Sequence, residues 1–174
     1  MLIDILGNQI KKTETTSQTE KITNYTYDLN GNTLKVEKTG QVDDSVVEYG
    51  YNELNQLVSY KGEDGTLTSF AYDGTGMRTS KTQVDTVENY YWDRGYISNE
   101  AVNGTITASN YIGEQGIFAR NADNNTDYLF KNGHGDVVNV VRNGTVVFSY
   151  DYDAYGTQKT QNANDTNPFR YWCG

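Results

Sequence analysis

A histidine, an aspartate and a cysteine are the residues of this chain whose types could support nucleophilic catalysis. His134 is the sole histidine, Asp136 follows two residues later, and Cys173 is the sole cysteine. A thiol, an imidazole and a carboxylate can form a catalytic unit whenever the fold brings them together. His134, however, lies between Gly133 and Gly135, which is typical of a turn. We therefore interpret His134 and Cys173 as structural residues and predict no catalytic residue.

Metal binding is the second chemistry that the side chains could support. One histidine and one cysteine are too few for a zinc site, which uses several nitrogen or sulfur ligands. Loop Asp and Asn residues would suit calcium, but neither the EF-hand spacing nor the G-G-x-G-x-D repeat occurs. The repeated aspartates precede turns, where a carboxylate oxygen can accept hydrogen bonds from local N–H groups. These residues are Asp28, Asp73, Asp93 and Asp153. No metal and no cofactor is predicted.

These aspartates belong to a motif that recurs along the chain. Its clearest copy is YTYDLNGNTLKVE at 25–37, in which an alternating strand leads to Asp28, a turn and a second alternating strand. Further copies read YGYNELNQLVSYK at 49–61, FAYDGTGMRTSKT at 70–82 and YDYDAYGTQKT at 150–160. Weaker copies occur around 90–93, 110–113 and 128–135. We predict positive φ at Gly31, Gly76 and Gly156, because each stands three residues after the turn aspartate.

One aromatic residue anchors each copy, and these anchors are evenly spaced. They are Tyr27, Tyr51, Tyr72, Trp92, Tyr111, Phe130, Tyr152 and Tyr171. Gaps of roughly 20 residues between anchors indicate a repeat architecture. We predict an all-β fold in which consecutive antiparallel hairpins form one long twisted sheet, with the anchors stacked along one face.

Composition and turn signals support this fold class. Hydrophobic residues make up only 36% of the chain, but fifteen tyrosines supply large rings that keep a polar tip in water. Pairs that favour hairpin turns interrupt every apolar run. They are Asn30-Gly31, Asp64-Gly65, Asp73-Gly74, Asn103-Gly104, Asn132-Gly133 and Asn143-Gly144. We divide the chain into residues 1–22, a lead-in with a possible first strand, and residues 23–174, the repeat region.

Charge and hydropathy exclude two kinds of partner. The net charge is −9, and no run of basic residues offers the clustered cations that nucleic acid binding requires. No window approaches the apolar length of a membrane span. The first ten residues lack the basic region and cleavage site of a signal peptide. We expect no nucleic acid partner, no membrane span and no targeting signal in this chain.

The ordered series of motifs resembles the YD repeats of Rhs proteins. The C-terminal third is similar to the Rhs repeat-associated core, and the resemblance covers roughly residues 20–174. It rests on YLFKNGHGD at 128–136, YDYDAYG at 150–156 and NPFRY at 167–171. The resemblance implies a strip of β-hairpins that spirals into a hollow shell around a variable, often toxic, C-terminal segment. In many members that segment is released by aspartic self-cleavage after the NPFRY-like segment.

The sequence departs from this family pattern at its C-terminal end. It reads Trp172-Cys173-Gly174 where members continue as Y-x-G-E-Y, and it contains neither the cleavage motif nor a cargo. Self-proteolysis and toxicity are therefore not assigned to these residues. We interpret the chain as a fragment of a secreted or cell-surface bacterial protein, with a non-enzymatic structural role in encapsulation or display. The alternative is a cell-surface module that binds carbohydrate or protein through exposed Tyr and Asn side chains.

The expected partners are neighbouring YD repeats and the C-terminal cargo of the parent protein. Self-association through sheet edges is also expected, because unpaired strand edges attract further strands. We predict that the C-terminal copy around residues 169–172 is the more adhesive edge. The polar, charged stretch from Lys11 to Lys21 should protect the N-terminal edge.

Overall fold

A computed structural model describes residues 2–15, 20–40, 44–159 and 162–170. These residues form fifteen strands and no helix, and the order of the strands in the sheet follows the chain. The all-β prediction is therefore confirmed. The strands are β1 Leu2–Ile3, β2 Gln9–Thr15, β3 Glu20–Tyr27, β4 Thr33–Thr39, β5 Ser45–Tyr51, β6 Leu57–Lys61, β7 Leu67–Tyr72, β8 Arg78–Gln83, β9 Thr86–Asp93, β10 Tyr96–Val102, β11 Thr105–Gly113, β12 Gly116–Ala122, β13 Asn125–Lys131, β14 Val137–Arg142 and β15 Thr145–Ser149. Since helices are absent from the described residues, none of them forms a helix fit to cross a membrane.

The chain divides into two compact units, Met1–Glu88 and Asn89–Gly174. In the N-terminal unit, Val47 and Thr68 are the buried side chains among the described residues. Tyr49 and Tyr60 pair across β5 and β6 with ring centroids 5.5 Å apart. Half-exposed Lys–Glu pairs line the strands, and this arrangement is typical of a sheet with solvent on both faces.

The C-terminal unit contains the hydrophobic core. Ile117, Leu129, Val137, Val140 and Tyr150 form a buried cluster, and Val140 is completely enclosed. Partly buried apolar side chains pack around it, namely Ile112, Val147, Phe148, Tyr152 and Phe169. The cluster lies on one face of β11–β15, because residues after β15 return and pack on that face. We call residues 150–159 and 162–170 the C-terminal cover.

The other face of these strands is neutral and exposed to solvent. The strand registers place Tyr111, Ala119, Tyr128 and Val141 side by side on this face, opposite the core. Phe118, in the bulge of β12, packs against Tyr111 with ring centroids 6.3 Å apart. The side chains that β11–β14 direct to this surface carry no formal charge. We call this surface the neutral face.

Two kinds of turn join the strands. At Asn103-Gly104 and Asn143-Gly144 both residues have positive φ, as a two-residue hairpin turn requires. The same interpretation is wrong for Asn30-Gly31, where only Gly31 has positive φ. Asn30 lies inside a five-residue turn that Asp28 closes, so the hairpin is longer than the Asn-Gly pair predicts.

The N-terminal end of the sheet has an exposed apolar edge strand. Edge strand β1 has β2 as its neighbour and leaves the side chains of Leu2 and Ile3 more than half exposed. At the opposite end, Phe169 packs against the core instead of facing solvent. Tyr171 and Trp172 lie outside the described residues. The prediction of a more adhesive C-terminal edge is therefore not supported by Phe169, and it stays a prediction for the rest of that segment.

Candidate functional site: the repeated turns and the C-terminal cover

Six turns of the described chain share one hydrogen-bonding pattern, which Asp28 illustrates. Its Oδ1 accepts the N–H groups of Asn30 and Asn32 at 2.9 and 2.8 Å. Its backbone N–H donates to Asn32 O at 2.9 Å, and Gly31 N–H donates to Asp28 O at 3.2 Å. The same pattern recurs in the turns that begin at Asp4, Asn52, Asp73, Asn132 and Asp153. One Asp or Asn side chain thus satisfies the N–H groups of each turn.

Two residue positions make this turn possible. The fourth residue has positive φ, and it is glycine in five turns and Asn55 in the sixth, where φ is 59°. The glycines Gly31, Gly76 and Gly156 have φ of 85°, 89° and 82°. The hydrogen bonds also lower the pKa of the Asp28 carboxyl, with the Asn32 side chain as the largest cause. The carboxylate form is therefore the one that the turn stabilises.

A tyrosine hydroxyl ties three of these turns to the hairpin before them. Tyr72 OH donates to Leu57 O at 2.8 Å, and Leu57 is the first residue after the preceding Asn52 turn. Tyr27 and Tyr152 make the equivalent bond to Gln9 O and Val137 O, each at 2.9 Å. In these three copies the anchor tyrosine therefore bonds to the neighbouring repeat.

The remaining anchors do not share this environment. Tyr111 and Phe130 lie on the neutral face and are about half exposed, whereas Tyr152 packs against the core on the other side. The prediction that all anchors stack on one face is therefore wrong. The register shift comes directly before Tyr27, Tyr51 and Tyr72 but directly after Tyr111 and Phe130. Tyr111 and Phe130 are therefore offset by one residue from the anchor position, and such an offset places a side chain on the opposite face. Tyr51 and Trp92 are half-buried at the ends of β5 and β9.

Asp93 and Tyr171 differ from the other motif residues. Asp93 ends β9 at the two-residue turn Arg94-Gly95, where its carboxylate lies 3.3 Å from the Arg94 guanidinium. It therefore belongs to a shorter turn than Asp28, Asp73 and Asp153. Tyr171 lies outside the described residues.

Sequence reasoning missed one turn and one buried residue. Asp4 and Gly7 form the same turn as Asp28 and Gly31, although residues 1–22 were interpreted as a lead-in. The spacing of Asp4 and Gly7 is the motif spacing, so the signal was present. Asn167 was named only as part of the NPFRY resemblance, and no local pattern marked it as the buried centre of a network.

Asn167 organises the C-terminal cover. Its amide donates to Tyr150 OH at 3.2 Å and to Phe169 O, and its Oδ1 accepts Phe169 N–H at 3.1 Å. Its backbone N–H donates to Asp165 Oδ1 at 3.0 Å, and Tyr150 OH reaches the same oxygen at 3.0 Å. Every polar group of this side chain is thereby satisfied while Asn167 is buried. Burial raises the pKa of Tyr150 to about 12, which keeps the hydroxyl protonated as a donor.

Arg170 fastens the end of the cover. Its Nη1 lies 2.7 Å from Asp165 Oδ2, an ion pair off the hydrogen-bond direction, and its guanidinium stacks 5.0 Å from the Tyr150 ring centroid. Its Nε donates to Asn167 O at 3.0 Å. The Arg170 carbonyl accepts the N–H of Val137 at 3.1 Å, which joins the cover to the start of β14. The path of the chain is thus fixed by backbone and side chain together.

His134 is a turn residue in the structure. Its backbone N–H donates to Asn132 Oδ1 at 2.9 Å, and its ring Nδ1 lies 3.0 Å from Asp136 Oδ1. Cys173, the thiol considered beside His134 and Asp136, lies outside the described residues. Within the described ranges, no group of three or more His, Cys, Asp or Glu side chains could hold a metal ion.

The fold and its turns define a repeat protein built from β-hairpins, and an Asp or Asn side chain closes six of the described turns. Residues 51–88 match the family model described as RHS Repeat, and this match supports the resemblance to Rhs/YD-repeat proteins. It is 28% identical over 155 residues to the tRNA nuclease WapA of Bacillus subtilis strain 168, a match covering 83% of this chain and 6% of the relative. A tRNA3(Ser)-specific nuclease WapA of Bacillus spizizenii is 28% identical over 130 residues, 68% of this chain and 5% of the relative. The chain therefore spans a small part of the curated relatives it matches.

Proposed function

We propose that this chain is a non-enzymatic structural module that holds a variable C-terminal segment against a YD-repeat sheet. The observation that carries the proposal is the C-terminal cover, which packs on the core and is bound by the buried Asn167 network. The repeat-motif residues have structural roles in this proposal: turn closure by Asp or Asn, and linkage of neighbouring hairpins by tyrosine. In a longer protein, a continuous sheet of this kind would enclose or display the segment.

The names of the relatives indicate what such a segment could do. They are tRNA nucleases of Bacillus, and this chain matches a small fraction of their length. We assign nuclease activity to the segment that the sheet holds, and none to the repeats. The parent protein would then be a secreted or cell-surface bacterial protein, with neighbouring repeats and the C-terminal cargo as its partners.

Tryptic cleavage after Arg170 tests whether the cover is held. The Arg170 carbonyl and guanidinium are both engaged, so we expect slow cleavage in the native chain. Asn167→Ala removes the centre of the network and should accelerate this cleavage by about tenfold or more. Asn164→Ala is the matched control, because Asn164 is exposed. Equal cleavage rates in the two variants would refute a holding role for the network.

Incubation of the purified chain with tRNA tests the non-enzymatic assignment. We expect no cleavage above that of buffer. Cleavage that His134→Ala abolishes would show that the repeats themselves carry an active site. Encapsulation is tested separately by electron cryo-microscopy of the protein encoded by the full reading frame. If the C-terminal segment lies outside the sheet, the sheet displays the segment but does not enclose it, and encapsulation is refuted.

A specific observation favours a second candidate function, binding of carbohydrate or protein at the sheet surface. The neutral face exposes Tyr111, Phe118, Tyr128 and Phe130 to solvent. Contiguous exposed rings of this kind mark interaction surfaces more often than they occur on inert ones.

A further inference from the structure

Lys131 occupies the position that a tyrosine holds in other repeats. Tyr72 stands directly before Asp73, which begins a turn, and Lys131 stands directly before Asn132, which begins another. Lys131 Nζ donates to Gln115 O at 2.9 Å, just as the hydroxyl of Tyr72 donates to a carbonyl of the hairpin before it. The amine therefore stands where a neutral phenol makes the same bond elsewhere in the chain.

The fold places Lys131 at a cleft on the face that bears the core. Lys131 lies directly opposite Val137 in the register of β13 and β14, and Val137 belongs to the buried cluster. The cleft has a volume of about 240 Å³, and both the C-terminal cover and the β11–β12 turn border it. Its apolar walls are Tyr96, Ile117, Val137, Pro168 and Phe169. Apolar walls with few polar groups are typical of sites for small molecules.

The surroundings of Lys131 favour the neutral form of its amine. Lys35 and Lys38 each pair with a glutamate at 2.7 Å, and this hydrogen bond raises the pKa of both. Lys131 donates to a neutral carbonyl instead, and burial lowers the pKa of its ammonium. Arg170, the other cation at the cleft, is paired with Asp165. A desolvated, neutral lysine amine is a nucleophile that can form imines with carbonyl compounds.

We propose that the cleft beside Lys131 binds small aromatic aldehydes, which the Lys131 amine holds as an imine. The lone pair of Nζ attacks the aldehyde carbon, and a C=N bond replaces the C=O bond. Both amine hydrogens leave with the aldehyde oxygen as one molecule of water, so the step needs no oxidant or reductant. The Tyr96 and Phe169 side chains supply aromatic walls for the ring of the aldehyde. Lys131 is partly exposed, so a small molecule can reach its amine.

Reductive trapping of the full chain with benzaldehyde and sodium cyanoborohydride tests the proposal, and peptide mass spectrometry locates the benzyl adducts. At neutral pH we expect Lys131 to be labelled about fivefold faster than Lys35 or Lys38, which are matched controls within the same chain. Propanal should show a smaller preference for Lys131, because it has no ring to contact the walls. Benzyl alcohol has the ring but no carbonyl, so it should slow the labelling of Lys131 and leave that of Lys35 unchanged.

A change in the cleft wall separates binding in the cleft from simple reactivity of the amine. Tyr96→Ala removes one aromatic wall and should slow the labelling of Lys131 by about threefold or more. Tyr155→Ala is the matched control, because Tyr155 is exposed at a turn and does not line the cleft. Lys131→Arg retains a donor for Gln115 O and should remove the fast-labelled site without creating another. Circular dichroism of each variant verifies that it is folded.

Three outcomes would overturn the proposal. They are equal labelling rates at Lys131 and Lys35, labelling of Lys131 that benzyl alcohol does not slow, and equal effects of Tyr96→Ala and Tyr155→Ala. The last two would show a reactive amine without a binding cleft. Tryptic cleavage after Arg170 still tests the structural module separately.

Discussion

The two units of this chain are built from the same hairpins but are stabilised by different interactions. In the N-terminal unit, Val47 and Thr68 are the buried side chains among the described residues. In the C-terminal unit, a cluster centred on Val140 is enclosed by the C-terminal cover. The ion pairs also differ, although the second unit has exposed pairs such as Lys159–Asp151 as well. Half-exposed Lys–Glu pairs occur in the first unit, and more deeply buried Arg–carboxylate pairs occur in the second.

This difference shows which interactions stabilise a repeat that has no cover and which interactions the cover adds. A single-layer sheet has little apolar area to remove from water, so its stability depends on turns, cross-strand pairs and the tyrosine bond to the neighbouring repeat. In the N-terminal unit the turns even contact each other, since Asn55 Oδ1 accepts both Asn30 and Asn32 side-chain amides at 2.9 Å. The cover adds hydrophobic burial, which local sequence pattern does not supply.

The same substitution in both units should give the largest contrast. Val140→Ala should lower the free energy of unfolding by roughly 2–3 kcal/mol, because it opens a cavity in an enclosed cluster. Val47→Ala should cost only about 1 kcal/mol, because solvent is near on the other face of the sheet. Urea denaturation followed by circular dichroism measures both. Equal costs would mean that the N-terminal unit has a core comparable with that of the C-terminal unit.

Turn glycines should respond equally in both units, because their strain is local. Replacement of Gly31, Gly76 or Gly156 by Val should each cost about 1–2 kcal/mol, since the backbone there is left-handed. Gly74 provides the control within the turn of Gly76. It lacks positive φ, and an added Cβ would meet no atom within 4 Å. A loss of thermal stability in Gly74→Val as large as that in Gly76→Val would show that bulk, not φ, decides the effect.

One turn of the N-terminal unit should become more stable if it receives the residue type found at the equivalent turn position of the C-terminal unit. Val84, 76% exposed, has a φ of 53°, which is strained for a β-branched residue. Val84→Asn should therefore raise the free energy of unfolding by about 0.5–1 kcal/mol. The reciprocal change Asn143→Val, at an equivalent turn with φ of 49°, should lower it by a similar amount. Thermal denaturation of both variants measures the effect. A neutral result in both would show that these turns tolerate the strain.

Low pH should destabilise the turns that begin with Asp and leave the turns that begin with Asn unchanged. We expect this effect to be smaller than those of the substitutions above. Hydrogen bonds lower the pKa of Asp28 and Asp73 below 3.8, chiefly from the Asn32 amide and the Thr75 hydroxyl. As pH falls, each carboxyl therefore binds a proton in the unfolded state before it does so in the folded state. The stabilisation that the folded carboxylate provides is present above pH 3.8 and is lost as pH falls through the lower pKa of the folded state. Melting temperatures between about pH 5 and about pH 2 should fall less steeply for Asp28→Asn than for the native chain. Parallel curves would show that the Asp28 carboxylate does not contribute.

Much of the fold could be predicted because the motif is local. The Asp28 turn is closed by bonds that span at most four residues, and alternation identifies the strands beside it. The Asp4 turn carried the same signal and was overlooked beside an apolar run. The Asn30-Gly31 pair misled because the common two-residue hairpin competes with the longer turn that Asp28 closes.

The sequence by itself determined the fold class, the repeat and the chemistry of most turns, since each depends on contacts within one hairpin. Only the tertiary structure decided which face became the core, where the charges went and how Asn167 is used. The bonds that hold the cover join Val137 to Arg170 and Tyr150 to Asn167, residues far apart in the chain. Each side chain there is ordinary in its local context. Its role arises when the cover returns to the sheet, because burial then makes every unpaired polar group costly and every apolar contact favourable.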